Sequence, residues 1–584
     1  MKKLIILITL AVVFILTACG RSGDAADMDS FFRWVTGSVD TTINPHASLL
    51  FANGEMVDLV LVPLYGWMPS LDGSRAELVP MIALSEPESD CGYVWIIRIN
   101  PEARWQNGAN ITAEDFIFSW RMGLNPGLAY PSAVHIFGGP TGGQIEVVMA
   151  QDYFAQDLYD RAIVDWDYVG FDMLDEMTLK ITTARSYTAM DVMLHFSHRA
   201  TAPVYASMYL AGMNVGGTST LYGTELSYFM GNGPFVLTSW TKGSEAIFIR
   251  NEYFIHADRV FLDGIHRRVA TDENARIELF ESGLNDMLEI GVTGLMRYED
   301  DPRLISFERQ AIHTIEVNQN HPDFPILANP GFRRALYHAT DRETVAGLTG
   351  TAPAPFILST VGVAFADGIL YRDTHEATYW LPENYGFDPE YARNLMNLML
   401  ELYGMDNIAL TMIYAEDTPG IRAAAAYLQF DWQRIFGEDV FTLNLRGMPH
   451  SAALATMRTS QEEPSGQWEL GWSRFMPRAE AFAPHQKFAT YLNTNPSRLT
   501  WYNNYKLEEL FPLFETDRYR FNYQNRLELT ARLERYFILE NATAIPVVQD
   551  LAFILFSSRV ELPIYAVSPV IGFAWWYGNI TNRD

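Results

Sequence analysis

Apolar residues recur along this chain with two periods, one near 2 and one near 3.6, and the two alternate over much of its length. From Ser74 to Arg98 the pattern is extended: Tyr93-Val94-Trp95-Ile96-Ile97-Arg98 is aromatic and β-branched and follows turn residues at Glu86-Pro87 and Asp90-Cys91-Gly92, which predicts strands. Thr112-Ala113-Glu114-Asp115 then caps a helix, with Phe116, Ile117, Trp120 and Leu124 on one face. A second helix is predicted from Thr271 through Ala275, Ile277, Leu279 and Phe280 to a stop before Gly283, and a third opens at Asn329-Pro330 and carries Ala335, Leu336 and Ala339. The clearest helix begins at Asp388-Pro389: Asp388 caps, Pro389 sits in the first turn without losing a hydrogen bond, and Gly404 supplies the stop. Ile408 to Tyr414 alternates like a strand, Ile421 to Phe436 reads as a helix, and the amphipathic stretch Arg526 to Leu539 precedes an apolar run from Ala544 to Phe556. Residues 125–175, rich in Gly, Pro, Tyr and Asp, are expected to form an irregular surface insertion. No internal repeat is present, and helix–strand alternation points to an α/β protein.

The chain has 584 residues, too many for one ordinary domain, and 48% are hydrophobic, which fits large cores and excludes disorder. Its 42 Lys and Arg stand against 70 Asp and Glu, a formal charge of −28, with no basic run longer than two residues. Nucleic acid is thereby excluded as a partner, since phosphate binding needs clustered cations. No segment after the first twenty residues is apolar enough over 18 positions to span a membrane.

Only two cysteines occur, Cys19 and Cys91, so neither a disulfide framework nor a multi-cysteine metal site is available. Lys2-Lys3, the apolar run Leu4 to Ala18 and Leu16-Thr17-Ala18-Cys19-Gly20 resemble a bacterial lipoprotein signal with its lipobox. That implies cleavage before Cys19, a lipid on its thiol, and a polar tether over residues 19–30. Loss of Lys2 and Lys3 leaves 40 basic residues against 70 acidic ones, a net charge of −30. Cys91 is expected to be a packed or partly exposed thiol.

Catalytic motifs are lacking: there is no G-x-S-x-G elbow, no zinc helix, and no phosphate-binding loop, the glycines at 138–143 being followed by neither Lys-Ser nor Lys-Thr. Glu114-Asp115 is explained by a helix first turn, and His195 with His198 by ordinary packing. No enzyme activity, cofactor or metal site is expected from these residues.

A series of segments resembles the solute-binding proteins of peptide-type ABC importers, the oligopeptide- and dipeptide-binding family that also includes nickel binders. Ile43-Asn44-Pro45-His46, Pro63-Leu64-Tyr65-Gly66, Leu78-Val79-Pro80 and Ala83-Leu84-Ser85 are similar to the family's opening motifs. Trp105-Gln106-Asn107-Gly108 and Ile111 to Phe116 are similar to its W-S-D-G and T-A-E-D-F stretch. Gly231-Asn232-Gly233-Pro234-Phe235, Phe332-Arg333-Arg334-Ala335-Leu336, Thr340-Asp341-Arg342-Glu343, Asp388 to Ala392 and Ala544 to Val547 continue the series.

The resemblance implies a bilobed α/β fold of the periplasmic-binding-protein kind (type II, flytrap), with mixed sheets in both lobes and an additional domain inserted in the first. On that reading residues 1–18 are signal, 31–63, 225–318 and 546–584 form lobe I, 64–224 the additional domain, and 319–545 lobe II. A monomer held by lipid on the extracytoplasmic face of the membrane would capture peptides in the interlobe cleft and deliver them to permease subunits driven by an ATPase. The family's cleft segment is similar to Gly471-Trp472-Ser473-Arg474-Phe475, so Trp472 and Ser473 would offer backbone groups and Trp472 a stacking wall; Phe51, Ala52 and Asn53 fall where the family's other contacting strand lies. Peptide binders of this type carry an Asp where Phe475 stands, pairing with the ligand's ammonium. Four readings stay open: another acid such as Glu480 reaches the site, an alignment slip of a few residues hides the acid, Arg474 holds a carboxylate or phosphate, or Arg474 points to solvent. The lost acid and His485 also motivate a second reading, a binder of a nickel or other metal chelate. An enzyme or adhesin on the same scaffold is a third.

Overall fold

The computed structural model describes residues 30–47, 54–70, 76–139, 145–156, 163–361, 369–458, 468–475, 484–495, 498–562, 567–568, 572–573 and 575–581. Strand β1 (Phe32–Thr36) opens the chain. β2 (Tyr65–Pro69) pairs with β3 (Ala76–Pro80), and β4 (Val94–Arg98), β5 (Phe171–Asp175) and β6 (Thr178–Thr182) make a small antiparallel sheet in the order β4-β6-β5. After β7 (Phe235–Thr241), β8 (Glu245–Arg250), β9 (Gly264–Val269) and β10 (Met287–Ile290) come the fourteen-residue β11 (Leu304–Val317) and the short β12 (Ala352–Pro353). β13 (Ile408–Ala415), β14 (Phe441–Met448), β15 (Leu470–Phe475) and the twelve-residue β16 (Ile545–Phe556) complete the main sheet.

That sheet runs β14-β13-β15-β11-β16-β10-β1-β9-β8-β7, with β12 on β16. Its two halves are joined by the two longest strands. β16 pairs antiparallel with β10 over Phe553 to Phe556, and β11 pairs antiparallel with β15 over Ile312 to Val317. Between them the β11–β16 ladder shifts register twice, between Glu308 and Ile312 and between His313 and Thr314. Such irregularities bend and twist a strand pair, so the bend falls where the chain passes from one half of the molecule to the other.

The cores follow the same division. One is drawn from residues 32–265 with Met287, Ile554, Phe556 and the aromatic segment around Trp575; the other comes from residues 315–548. Helices and sheet bury their apolar faces by the removal of surface from water, at roughly 25 cal/mol per Å².

Most predicted elements are present. Asp115 Oδ2 accepts from Thr112 N at 2.9 Å at the start of helix Ala113–Gly123, and Asp388 accepts from Tyr391 N at 3.0 Å at the start of helix Pro389–Leu402. The helix expected from Thr271 is capped one residue later, by Asp272, whose Oδ1 accepts from Ala275 N. The amphipathic stretch before β16 is helix Tyr523–Arg535, continued by a wider turn over Tyr536–Glu540. Among the described residues of 125–175 several belong to the core rather than to the surface. Ile136, Ile145 and Ala150 are fully buried, Trp166 stacks on Phe171, and β5 closes the segment, because its scattered apolar residues reach the first core through short helices rather than through one periodic element.

Several segments that carry the family resemblance prove to be joints of the scaffold. Asn232 exchanges both amide groups with Val62, accepting from its N at 3.0 Å and donating to its O at 3.1 Å. The fully buried Arg333 donates to the carbonyls of Ala542, Leu327 and Asn541, and burial pushes its pKa down to about 9. Asp341 caps helix Arg342–Thr349, and Arg342 donates to the carbonyls of Pro546, Tyr337, Thr340 and Tyr385.

Candidate ligand-binding site

β15 begins inside the sheet and leaves it. On one side its whole length pairs with β11; on the other only Leu470 and Gly471 are paired, parallel, with Met412 and Ile413 of β13. β13 runs on to Ala415 beside β14, so the two strands part after Gly471. Among the described residues no strand pairs with that side of Trp472 to Phe475. Gly471 stands at the parting point, where a Cβ would sit 2.2 Å from Met457 Sδ and that side chain would have to shift. A strand edge of this kind presents backbone donors and acceptors that an extended chain can take up.

Side chains from three strands converge beside this edge. Trp472 Nε1 donates to His313 Nδ1 at 3.0 Å, His313 Nε2 lies 2.6 Å from Asp550 Oδ1, and Arg474 Nε donates to Asp550 Oδ2 at 2.8 Å, with Nη2 on the same oxygen. An indole nitrogen only donates, so Nδ1 of His313 is the acceptor and its proton sits on Nε2, facing Asp550. Burial alone would raise the Asp550 pKa, but the hydrogen bond from His313 and the Arg474 guanidinium outweigh it and hold the carboxyl below its ordinary value. Exposure grades along the pair: the Arg474 side chain is 38% exposed and that of Asp550 14%.

A second polar cluster lies deeper. Glu316, opposite Gly471, accepts from Thr314 Oγ1 at 2.6 Å, Tyr491 OH at 3.1 Å and Tyr502 OH at 3.2 Å. Burial raises its pKa, against the pull of those hydroxyls and of the buried Lys487.

The residues expected at the cleft are therefore brought together as Gly471, Trp472, Ser473, Arg474 and Phe475 on one strand. Trp472 and Ser473 are 4% and 3% exposed, so a ligand reaches them only through a change of conformation. Arg474 does not point freely to solvent: two of its guanidinium nitrogens hold Asp550 of its own chain. Phe51, Ala52, Asn53, Glu480, Cys19 and the Phe475 side chain lie outside the described residues. His485, the basis of the metal-chelate reading, is buried and stacked on Phe514 at 4.2 Å, and burial lowers its pKa to about 3. His195 contacts the Ile136 carbonyl at 3.1 Å while His198 stacks on His135, so the two histidines do not converge. Cys91 is exposed in a turn. Among the described residues no group of three or more His, Cys, Asp or Glu side chains is placed to hold a metal.

His313 and Asp550 escape a reading of the sequence because each stands alone, 237 residues apart, inside a strand. The one local signal was the polar Gln549-Asp550 interruption in the apolar run from Ala544 to Phe556.

The chain is 26% identical over 400 residues to the dipeptide-binding protein of Lactococcus lactis, covering 65% of this chain and 66% of that protein. It is 23% identical over 325 residues to the dipeptide-binding protein DppE of Bacillus subtilis, covering 53% and 54%. The chain thus spans between half and two thirds of the length of these curated relatives. The structure of Listeria monocytogenes OppA bound to peptide superposes with a TM-score of 0.65 at 16% identity, over 96% of this chain and all of that one, which establishes the bilobed mixed α/β fold of that class. The model of the bacterial extracellular solute-binding proteins, family 5 (middle region), matches residues 77–494, and the chain belongs to that family.

Proposed function

We propose that this protein captures oligopeptides in the cleft between its lobes and delivers them to the permease of an ATP-driven importer. The observation that carries the reading is the side of β15 beyond Gly471, which no strand among the described residues pairs, next to the two strands that join the halves. A peptide added there gains main-chain hydrogen bonds that do not depend on its sequence. Closure follows if the ligand binds the closed form better than the open one. The names of the relatives, two of them dipeptide-binding proteins, support a peptide ligand.

In this reading residues 31–63, 225–318 and 546–584 make lobe I, 64–224 its added domain and 319–545 lobe II, with Phe51, Ala52 and Asn53 among the residues that contact the ligand. Cys19 carries the lipid that holds a monomeric, extracytoplasmic protein at the membrane, and the Cys19→Ser protein leaves the membrane fraction with its ligand affinity intact. Among the described residues nothing in the geometry favours a chelate, an enzyme or an adhesin over a peptide carrier. Native mass spectrometry of the purified protein followed by denaturing release tests the assignment. A mixture of short peptides is expected; release of a single metal chelate would overturn it.

A further inference from the structure

The polar chain at β15 says which end chemistry the cleft accepts. We propose that, within the peptide-binding reading above, the ligand group seated beside Arg474 is an oxygen acceptor, an acyl carbonyl or a carboxylate, and not a free α-ammonium, and that Asp550 is the residue that positions Arg474 to receive it.

The argument starts from which charge faces the ligand. Asp550 Oδ1 is taken by His313 Nε2 and Oδ2 by the Nε and Nη2 groups of Arg474, so two of the three guanidinium nitrogens are spent on fixing the side chain. Among the described residues Nη1 of Arg474 has no partner. The cation is also the outer member of the pair, 38% exposed against 14% for the carboxylate. An ammonium arriving at this point would meet a like charge before it met Asp550, whereas an acceptor oxygen meets a donor whose plane is already set. A guanidinium held at two nitrogens has lost little further freedom to pay on binding, which is how a preorganised fork gains specificity.

Among the described residues the neighbouring acids do not restore an ammonium site. On β11, Glu308 accepts from Thr360 Oγ1 at 2.8 Å, and Glu316 is buried and already taken by the hydroxyls of Thr314, Tyr491 and Tyr502. Glu416 and Asp417, past the end of β13, are exposed to water, where a carboxylate gives an ammonium little. Position 475 itself is a phenylalanine.

Two ligand sources share this chemistry, an acylated N-terminus and a carboxylate, and one experiment separates them. A single hexapeptide that binds is prepared with its N-terminus free or acetylated and its C-terminus free or amidated, and the four forms are titrated calorimetrically. Acetylation strengthening binding about tenfold assigns the acyl carbonyl; amidation weakening it about tenfold assigns the carboxylate. In either case the Arg474→Gln/Asp550→Asn double variant, which keeps the pair neutral and hydrogen-bonded, loses the preference while still binding peptide, and Asp550→Asn alone reduces it. Acetylation weakening binding tenfold, or no dependence on either end, overturns the proposal while leaving peptide capture intact. Binding of no peptide in any form overturns the peptide reading and this one with it.

Discussion

Arg474 on β15 and Asp550 on β16 are linked across the intervening strand β11, whose His313 supplies the second contact to the same carboxylate. β15 and the two strands that join the halves are therefore tied by side chains as well as by backbone. Replacing Asp550 with Asn leaves Arg474 half-exposed without its anion. Because water screens one side of the pair, the cost expected is about 1–2 kcal/mol, well short of a fully buried pair. Urea unfolding of Asp550→Asn measures it; a change under 0.3 kcal/mol would show that the pair contributes nothing net.

Arg333 makes a sharper case. Its guanidinium satisfies the carbonyls of Leu327, Asn541 and Ala542 in the second core, just before β16 begins. Arg333→Met would strand those acceptors, at about 1–3 kcal/mol for each one left buried and unpaired. The expected outcome is a loss of about 3 kcal/mol or more by urea unfolding, or failure to accumulate folded protein.

Acid sensitivity can be assigned to a residue. His485 has a folded pKa of about 3 because burial disfavours its charged form, against about 6.5 when unfolded. The unfolded chain therefore binds more protons in that window, and the contribution of His485 to stability falls as pH drops from about 6.5 toward 3. Raised carboxyls such as Asp40, Asp58 and Glu316 act in the opposite sense, so the test is a difference. His485→Phe, which preserves the stack on Phe514, should flatten the decline by about one proton, or 1.4 kcal/mol per pH unit, between about pH 5.5 and 4. Parallel curves for the variant and the parent protein would contradict this.

The contacts of Arg185 and Ser186 with Glu515 and Arg520 are also testable. Arg185 Nη1 donates to Glu515 Oε2 at 2.9 Å and Arg520 Nη1 to the Ser186 carbonyl at 2.6 Å. Both side chains of the Arg185–Glu515 pair are 42% exposed, so Glu515→Gln should cost less than about 1 kcal/mol, and less again in 1 M salt. Unfolding of parent and variant at two salt concentrations reads this directly.

Local signals and long-range ones were unequally legible. Asp388-Pro389 with Gly404 announces a helix because caps and stops act within a few residues, and the helix is there. Thr271 was one position early because Thr271 and Asp272 are both good caps and only the fold chooses Asp272. The segment 125–175 was misread because its buried residues are supplied singly by short turns, which leave no period to detect. At the site, the strand from Gly471 to Phe475 was recognised through family resemblance. The partner that decides the role of Arg474 lies 76 residues away, and only strand order brings Asp550 beside it.

The central claim is that a peptide adds to the side of β15 beyond Gly471. Hydrogen exchange of the protein with and without saturating peptide tests it most directly, read at the amides of Trp472 to Phe475. The account predicts slowed exchange there in the peptide complex, together with slowing at the β11–β16 bend between Glu308 and Thr314. Tight peptide binding that leaves exchange on β15 unchanged would contradict it.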